Sequence, residues 1–156
     1  MKLKKLVSAV TALSVVAALC ASLSGCGEKK SDKYKVGICQ LAQHDALDAS
    51  TQGFKDALKE KLGDKVTFDE QNAAGEPATC TTIVNQFVSG KVDLIFANAT
   101  GALQAAVSAT DSIPIVGTSV TDYATALEMK DWSGKTGINV TGTSDLAPLD
   151  KQAEMF

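Results

Sequence analysis

From Tyr34 onward the chain alternates short apolar runs with helix-length amphipathic stretches, and this alternation narrows the possible folds more than any other feature. Tyr34–Gln40 (YKVGICQ) reads as a strand. Ala46–Leu62 reads as an amphipathic helix, with Leu47, Phe54, Leu58 and Leu62 on one stripe and Gly63 at its stop. Lys65–Gln71 (KVTFDEQ) alternates apolar and polar residues, as a half-buried strand toward a sheet edge does. Gly75-Glu76-Pro77 opens a second helix, with proline in the first turn, where its missing N–H costs nothing. Ile83, Val84, Phe87 and Val88 form its buried stripe, and Gly90 follows its end. Val92–Ala97 (VDLIFA) has the continuous apolar character of a strand buried on both faces. An alanine-rich helix is predicted from Gly101 to Thr110, then strands over Ile113–Gly117 and Gly137–Gly142, separated by an irregular stretch that holds Tyr123 and Trp132. Leu149–Phe156 begins a further helix. Units of this length predict an α/β fold, a parallel sheet with helices on both faces. Open sheets of this kind bind ligands at the carboxyl ends of their strands. The loops of interest are therefore 40–45, 71–76, 97–101, 117–123 and 142–148.

Upstream of this pattern, Lys2, Lys4 and Lys5 precede an uncharged, mostly apolar run from Leu6 to Leu23. That is the charged–apolar–small layout of a secretory signal. A run of this length also suits a membrane-spanning helix, and the end of the segment decides between the two. Leu23-Ser24-Gly25-Cys26 puts a leucine and two small residues before a cysteine, which resembles the lipobox of bacterial lipoproteins. Small residues admit the backbone to a peptidase cleft, and only a thiol at position 26 is nucleophilic enough to be alkylated. Cys20 lacks the leucine–small–small order before it. Residues 1–25 are expected to be removed as a signal peptide, with Cys26 becoming the lipid-modified N-terminus. The short polar segment 26–33 is expected to tether the folded body to the outer face of the cytoplasmic membrane.

Charge and composition exclude several partners. Three of the 15 basic residues and no acidic residue lie in the signal, leaving 12 basic against 18 acidic residues, a net charge of about −6. This argues against nucleic acid and against anionic lipid as binding surfaces. All the basic residues are lysine, so the chain has no guanidinium fork for a carboxylate or phosphate. Cys39 and Cys80 are expected to be two separate buried thiols rather than a disulfide, although export permits one. One histidine and scattered cysteines give no metal-ligand spacing, and no nucleotide-binding or nucleophile-elbow motif is present, so no cofactor is expected.

Each strand-end loop offers a functional reading beside an ordinary one. In Gln40-Leu-Ala-Gln-His-Asp45, the side chains Gln40, Gln43, His44 and Asp45 suit a polar ligand, or Asp45 simply caps the first helix. His44 has no nucleophile and orienting group in view, which disfavours catalysis. In Ala97-Asn98-Ala99-Thr100-Gly101, Thr100 is a natural N-cap. The amides of Gly101 and Ala102 then point outward from a helix N-terminus and favour a carboxylate. In Gly117–Tyr123, Asp122 suits a ligand ammonium and Thr118 or Ser119 a carboxylate, or the segment is a turn of good turn formers. In 142–148, Ser144 or Asp145 either caps the final helix or faces the ligand.

Taken in order, KVGICQLAQHDALDASTQGFKDAL, QNAAGEPATCTTIVNQFVSGKVDLIFANAT, IPIVGTSVTDYATAL and NVTGTSDLAPLDKQAEM, behind a lipoprotein start, resemble the substrate-binding lipoproteins of ABC transporters for aromatic amino acids such as tryptophan and tyrosine. The resemblance spans residues 34–156. It implies a periplasmic-binding-protein-like fold of two α/β lobes with a ligand between them, no enzymatic activity, and an amino acid passed to a membrane permease. With the strand-end loops, it leaves as candidate ligand contacts Gln43, His44 and Asp48, then Asn98, Thr100 and Gly101, and then Thr118, Ser119, Asp122, Ser144 and Asp145. Family members commonly carry proline where this chain has Asp45, Gly101 and Tyr123, which loosens the loops here. They are also about twice as long, so residues 34–146 are expected to be the first lobe and 147–156 the start of a truncated second. A sugar or nucleoside ligand on the same fold, and a surface enzyme or sensor ectodomain on a flavodoxin-like fold, remain alternatives.

Overall fold

The structure is a computed structural model and describes residues 33–155. The signal peptide, Cys20, Cys26, most of the tether and Phe156 lie outside the described residues. Five parallel strands form one sheet in the order β2-β1-β3-β4-β5: β1 Tyr34–Gln40, β2 Val66–Asn72, β3 Leu94–Asn98, β4 Ile115–Val120 and β5 Val140–Ser144. Between them run α1 Asp45–Leu62, α2 Pro77–Ser89, α3 Thr100–Ala109 and the single turn α4 Tyr123–Ala126, and α5 Leu149–Ala153 follows β5. The α/β class and the parallel sheet flanked by helices are as the alternation predicts.

Two apolar layers cover the sheet. On one face Val36, Ile38, Val66 and Phe96 pack under α1, whose Phe54 ring stacks on Phe96 at 3.9 Å between centroids. On the other face Cys39, Ile95, Ala97 and Ile115 meet the stripes of α2 and α3, including Val84, Phe87, Leu103 and Ala106. Strand periodicity sorts β1 between the layers: Val36, Ile38 and Gln40 toward α1, Gly37 and Cys39 toward α2. Gly37 has no room for a side chain, because a Cβ there would lie 2.6 Å from the Phe87 ring. β2 is an edge strand, half-buried as its alternation predicts.

Several boundaries differ from the sequence reading, each for a local reason. α1 starts at Asp45 and its cap is His44, whose Nδ1 accepts from the Ala46 amide at 3.2 Å, so Asp45 is not the cap. Thr100 is the first residue of α3 rather than its cap. The cap position is Ala99, which has no side-chain acceptor to offer. β4 begins after Pro114, which cannot donate to a ladder, and runs on to Val120 through a bulge at which Ser119 adopts φ 54°. Thr118 and Ser119 therefore belong to the strand. β5 begins three residues later than expected: Gly137 at φ 66° breaks the extended path, and Asn139 is held by its amide donating to the Ile113 and Thr110 carbonyls. α5 is preceded by Pro148, so neither Ser144 nor Asp145 caps it. Cys39 and Cys80 are buried, free thiols in one apolar cluster, as expected.

Candidate functional site

The chain leaves β1 toward one edge of the sheet and β3 toward the other, so the connections part between the carboxyl ends of these two strands. Crevices at such switch points are where α/β sheets take ligands. The floor here is polar. Gln40 and Asn98 are register partners at the two strand ends, and both are buried. Asn98 Nδ2 donates to the Leu47 carbonyl at 2.8 Å and to Thr51 Oγ1 at 2.9 Å. The Thr51 hydroxyl donates to Gln40 Oε1 at 2.7 Å, and Gln40 Nε2 donates to Asp48 Oδ1 and to the Ala42 carbonyl. This network ties the first turns of α1 to β1 and β3. It also directs the Asn98 amide group into the protein, under α1, and occupies one oxygen of Asp48. Asn98 Oδ1 is left without a partner at zero exposure.

Backbone bonds stitch the neighbouring loops to this floor. The Leu41 amide donates to the Asn98 carbonyl at 3.1 Å, that of Ala73 to Gln40 at 2.9 Å, and that of Gly75 to Leu41 at 2.7 Å. Leu41 also packs against Gly101, 3.4 Å from where a Cβ would stand. Gln43 and His44 lie exposed on the loop after β1, His44 serving as cap.

Next along the edge, Ala99 adopts φ 90°, ψ 160°, a region that alanine rarely enters. Its amide donates to the Thr118 carbonyl at 2.9 Å, which locks it against β4. Backbone strain persists only where the surroundings impose it, and it gathers at functional sites. Here it turns the chain so that α3 starts at the sheet edge with no side-chain cap on its first amides. Those amides, at the positive end of the helix dipole, suit an anionic group. Ser119, also at positive φ, stands one residue before the end of β4. The Thr118 hydroxyl meets that of Thr143 at 3.2 Å.

Asp122 caps α4: its carboxylate accepts from the Ala124 amide at 2.9 Å and from the Thr125 hydroxyl at 2.6 Å. The Thr125 hydrogen bond holds its pKa below the ordinary value, against an opposing effect of burial and with help from the amides of Ala124 and Thr125. The Ser144 hydroxyl donates to the Thr121 carbonyl at 2.9 Å, and the Asp145 amide to Val120 at 3.1 Å, which fastens the end of β5 to β4. Tyr123 is buried with its hydroxyl unpartnered over Gly117 and Gly142, and burial, then Asp145, pushes its pKa up. A cavity of about 420 Å³ opens beside β5, lined by Tyr123, Trp132, Lys135, Thr136, Gly142 and Ser144. Only Ser144 among the sequence-predicted residues reaches it.

All eleven sequence-predicted residues thus fall along the carboxyl edge of the sheet, but they differ in availability. Thr100, Gly101, Thr118, Ser119, Gln43 and His44 border the edge, while Asn98 is turned inward. Thr51 was absent from the sequence prediction, although it stands on the apolar stripe of α1 between Leu47 and Phe54, where a polar residue marks a buried partner. Hydroxyls, uncapped amides and carboxylates make an edge suited to a small polar ligand. Among the described residues no group of three or more His, Cys, Asp or Glu is placed to hold a metal ion.

Known proteins are similar to this chain in sequence and fold. The chain is 44% identical over 133 residues to the tyrosine-binding protein of Clostridioides difficile (strain R20291), covering 81% of this chain and 38% of that protein. The crystal structure of a conserved domain protein from Vibrio cholerae O1 biovar El Tor superposes with a TM-score of 0.73 at 43% identity, over 79% of this chain and 42% of that one. The Streptococcus pneumoniae ABC domain in complex with L-Trp gives a TM-score of 0.72 at 36% identity, again over 79% and 42%. The chain thus spans about two-fifths of the length of these relatives, as one lobe of a periplasmic-binding-protein-like fold does. The model of the family described as ABC transporter substrate binding protein matches residues 35–156, and the chain belongs to that family.

Proposed function

We propose that this chain captures an aromatic amino acid outside the cytoplasm for an ABC importer and delivers it to a membrane permease. The observation that carries the reading is the strained start of α3 at the switch point, where helix amides without a side-chain cap follow Ala99, itself bonded to the β4 end that carries Thr118 and Ser119. One relative, 44% identical, is a tyrosine-binding protein, and another, 36% identical, was solved in complex with L-Trp. In this reading the amides of Thr100 and Gly101 take the ligand carboxylate, with Thr118 or Ser119 adding a hydroxyl. Asp122 keeps lone pairs beyond its capping bonds and takes the ammonium. Gln43 and His44 stand over the ligand from the loop after β1, and Ser144 and Asp145 approach from β5. Asn98 and Asp48 act from beneath, through the floor that positions the β1 and β3 ends.

Residues 34–146 form the first lobe in this reading, and α5 begins the passage to the second. A ligand held by both lobes favours their closed arrangement, which the permease reads. Residues 1–25 direct export, and lipidation of Cys26 keeps the receptor on the outer face of the membrane beside its permease. Two measurements test the two halves of the proposal. Titrating the labelled chain with millimolar L-tryptophan or L-tyrosine is expected to move the amide resonances of Thr100, Gly101 and Ser119. Movement with a sugar or nucleoside, and none with aromatic amino acids, would overturn the ligand class. Expression in a bacterial host is expected to place the chain in the membrane fraction with a radiolabelled acyl group, and Cys26→Ser to release it unlabelled. Acylation that survives Cys26→Ser sinks the anchor.

A further inference from the structure

Two thiols take no part in the ligand edge. Cys39 lies near the end of β1 and Cys80 in the first turns of α2, both at 0% exposure in one apolar cluster. The packing of β1 and α2 brings them together. On β1, Gly37 and Cys39 share a face; on α2, Cys80, Val84 and Phe87 share a stripe. The helix runs back along the sheet, so the late residue Phe87 covers the early residue Gly37, in contact with no space between. The same superposition brings the early residue Cys80 toward the late residue Cys39, and the two side chains are buried in the same apolar cluster. Both thiols are free.

We propose that Cys39 and Cys80 are a dithiol–disulfide pair, and that oxidation cross-links β1 to α2 inside the core. Each sulfur gives up its proton and the pair gives up two electrons as one S–S bond forms. The acceptor is a disulfide-class oxidant, whose own S–S bond breaks to leave two thiols. At 0% exposure neither sulfur can be reached from solvent in the closed fold. Burial also raises the pKa of both thiols, so little thiolate is present. The entry point is the α2 N-terminus: Glu76 provides no side-chain cap, and Pro77, Ala78 and Thr79 are exposed. Opening that turn uncovers Cys80 while Cys39 stays in the sheet. A bond made there persists in compartments that sustain disulfides; the chemistry in solution does not depend on the compartment or on ligand binding.

The test uses the full chain, incubated with oxidised dithiothreitol with and without mild urea, alkylated under denaturing conditions, digested and weighed. The expected product is a linked Cys39–Cys80 peptide, lighter than its two parts by the two hydrogens lost, forming faster in urea and reversed by reductant. The cross-linked protein is expected to melt several degrees above the reduced protein, because the closed loop restricts the unfolded chain. Cys39→Ser is expected to abolish the linked peptide and the melting shift together. Recovery of Cys39 and Cys80 fully alkylated after prolonged oxidation in urea would overturn the proposal. So would their appearance only in bonds to Cys20 or Cys26.

Discussion

At zero exposure the Asn98 side chain has no water to fall back on, so its hydrogen bonds to Leu47 and Thr51 must be made within the protein. Truncation by Asn98→Ala removes the donor and leaves a buried carbonyl and hydroxyl short of a partner, a penalty of about 1–3 kcal/mol. Urea unfolding is expected to show that loss as a lower midpoint at unchanged slope; a midpoint within error of the parent's would show the network to be dispensable. Thr51 was readable in advance as a polar residue on an apolar stripe. The inward turn of Asn98 was not, because it depends on which residue of β1 pairs with it, and register is a property of two strands together. On the opposite face, Phe87→Ala opens a void over Gly37, where no side chain is available to fill it, at a cost of about 3–5 kcal/mol. Asp122 titrates from the other direction. Its folded pKa is depressed below the ordinary 3.8, chiefly by Thr125, so its contribution to stability is present above that value and is lost as pH falls through the folded pKa. A carboxyl resonance titrating below 3.8, and moving up in Thr125→Val, is the expected result; a midpoint unmoved by Thr125→Val would remove the hydroxyl as the cause.

Among the elements, the long periodic ones match the sequence reading and the ends do not. α1, α2 and β1 are legible because apolar spacing extends over many residues and each has a stop or start signal, such as Gly63 or Pro77. β4 and β5 are displaced because their limits depend on Pro114, Gly137 and a bulge at Ser119, local backbone events that change little in the hydropathy pattern. The cap of α1 gives a direct test. His44 accepts one amide hydrogen bond through Nδ1 from an exposed position, a weaker arrangement than a carboxylate at the same place. His44→Asp adds both a better acceptor and a negative charge at the helix start, and is expected to raise stability by about 0.5–1 kcal/mol. His44→Ala is expected to lower it by a similar amount. Denaturant midpoints at neutral pH measure both, and equal midpoints for the three proteins would show that the cap contributes nothing.

For the molecule as a whole, the decisive quantity is how much of a ligand one lobe encloses. Small-molecule sites bury most of the ligand's surface, whereas the carboxyl edge of this sheet presents a single wall, and the chain spans 38% of its tyrosine-binding relative. If each lobe supplies about half of the contact free energy, a receptor binding at about 1 μM, near −8 kcal/mol, leaves about −4 kcal/mol for one lobe, a dissociation constant of roughly 1 mM. The described residues taken alone are therefore expected to bind L-tryptophan or L-tyrosine only in the millimolar range. Joining residues 34–146 to the remaining length of the Clostridioides difficile relative is expected to give tight binding, read as a ligand-dependent rise in melting temperature. Substituting Thr118→Val in that longer protein should weaken the ligand shift without lowering the melting temperature of the unliganded form, since the Thr118 hydroxyl hydrogen-bonds to that of Thr143 at the exposed edge, where water can replace it. Micromolar binding by the single lobe would mean that the edge alone makes a complete site. A longer protein that binds the amino acid equally well with Thr118→Val would move the carboxylate contact away from β4 and leave it to the α3 amides.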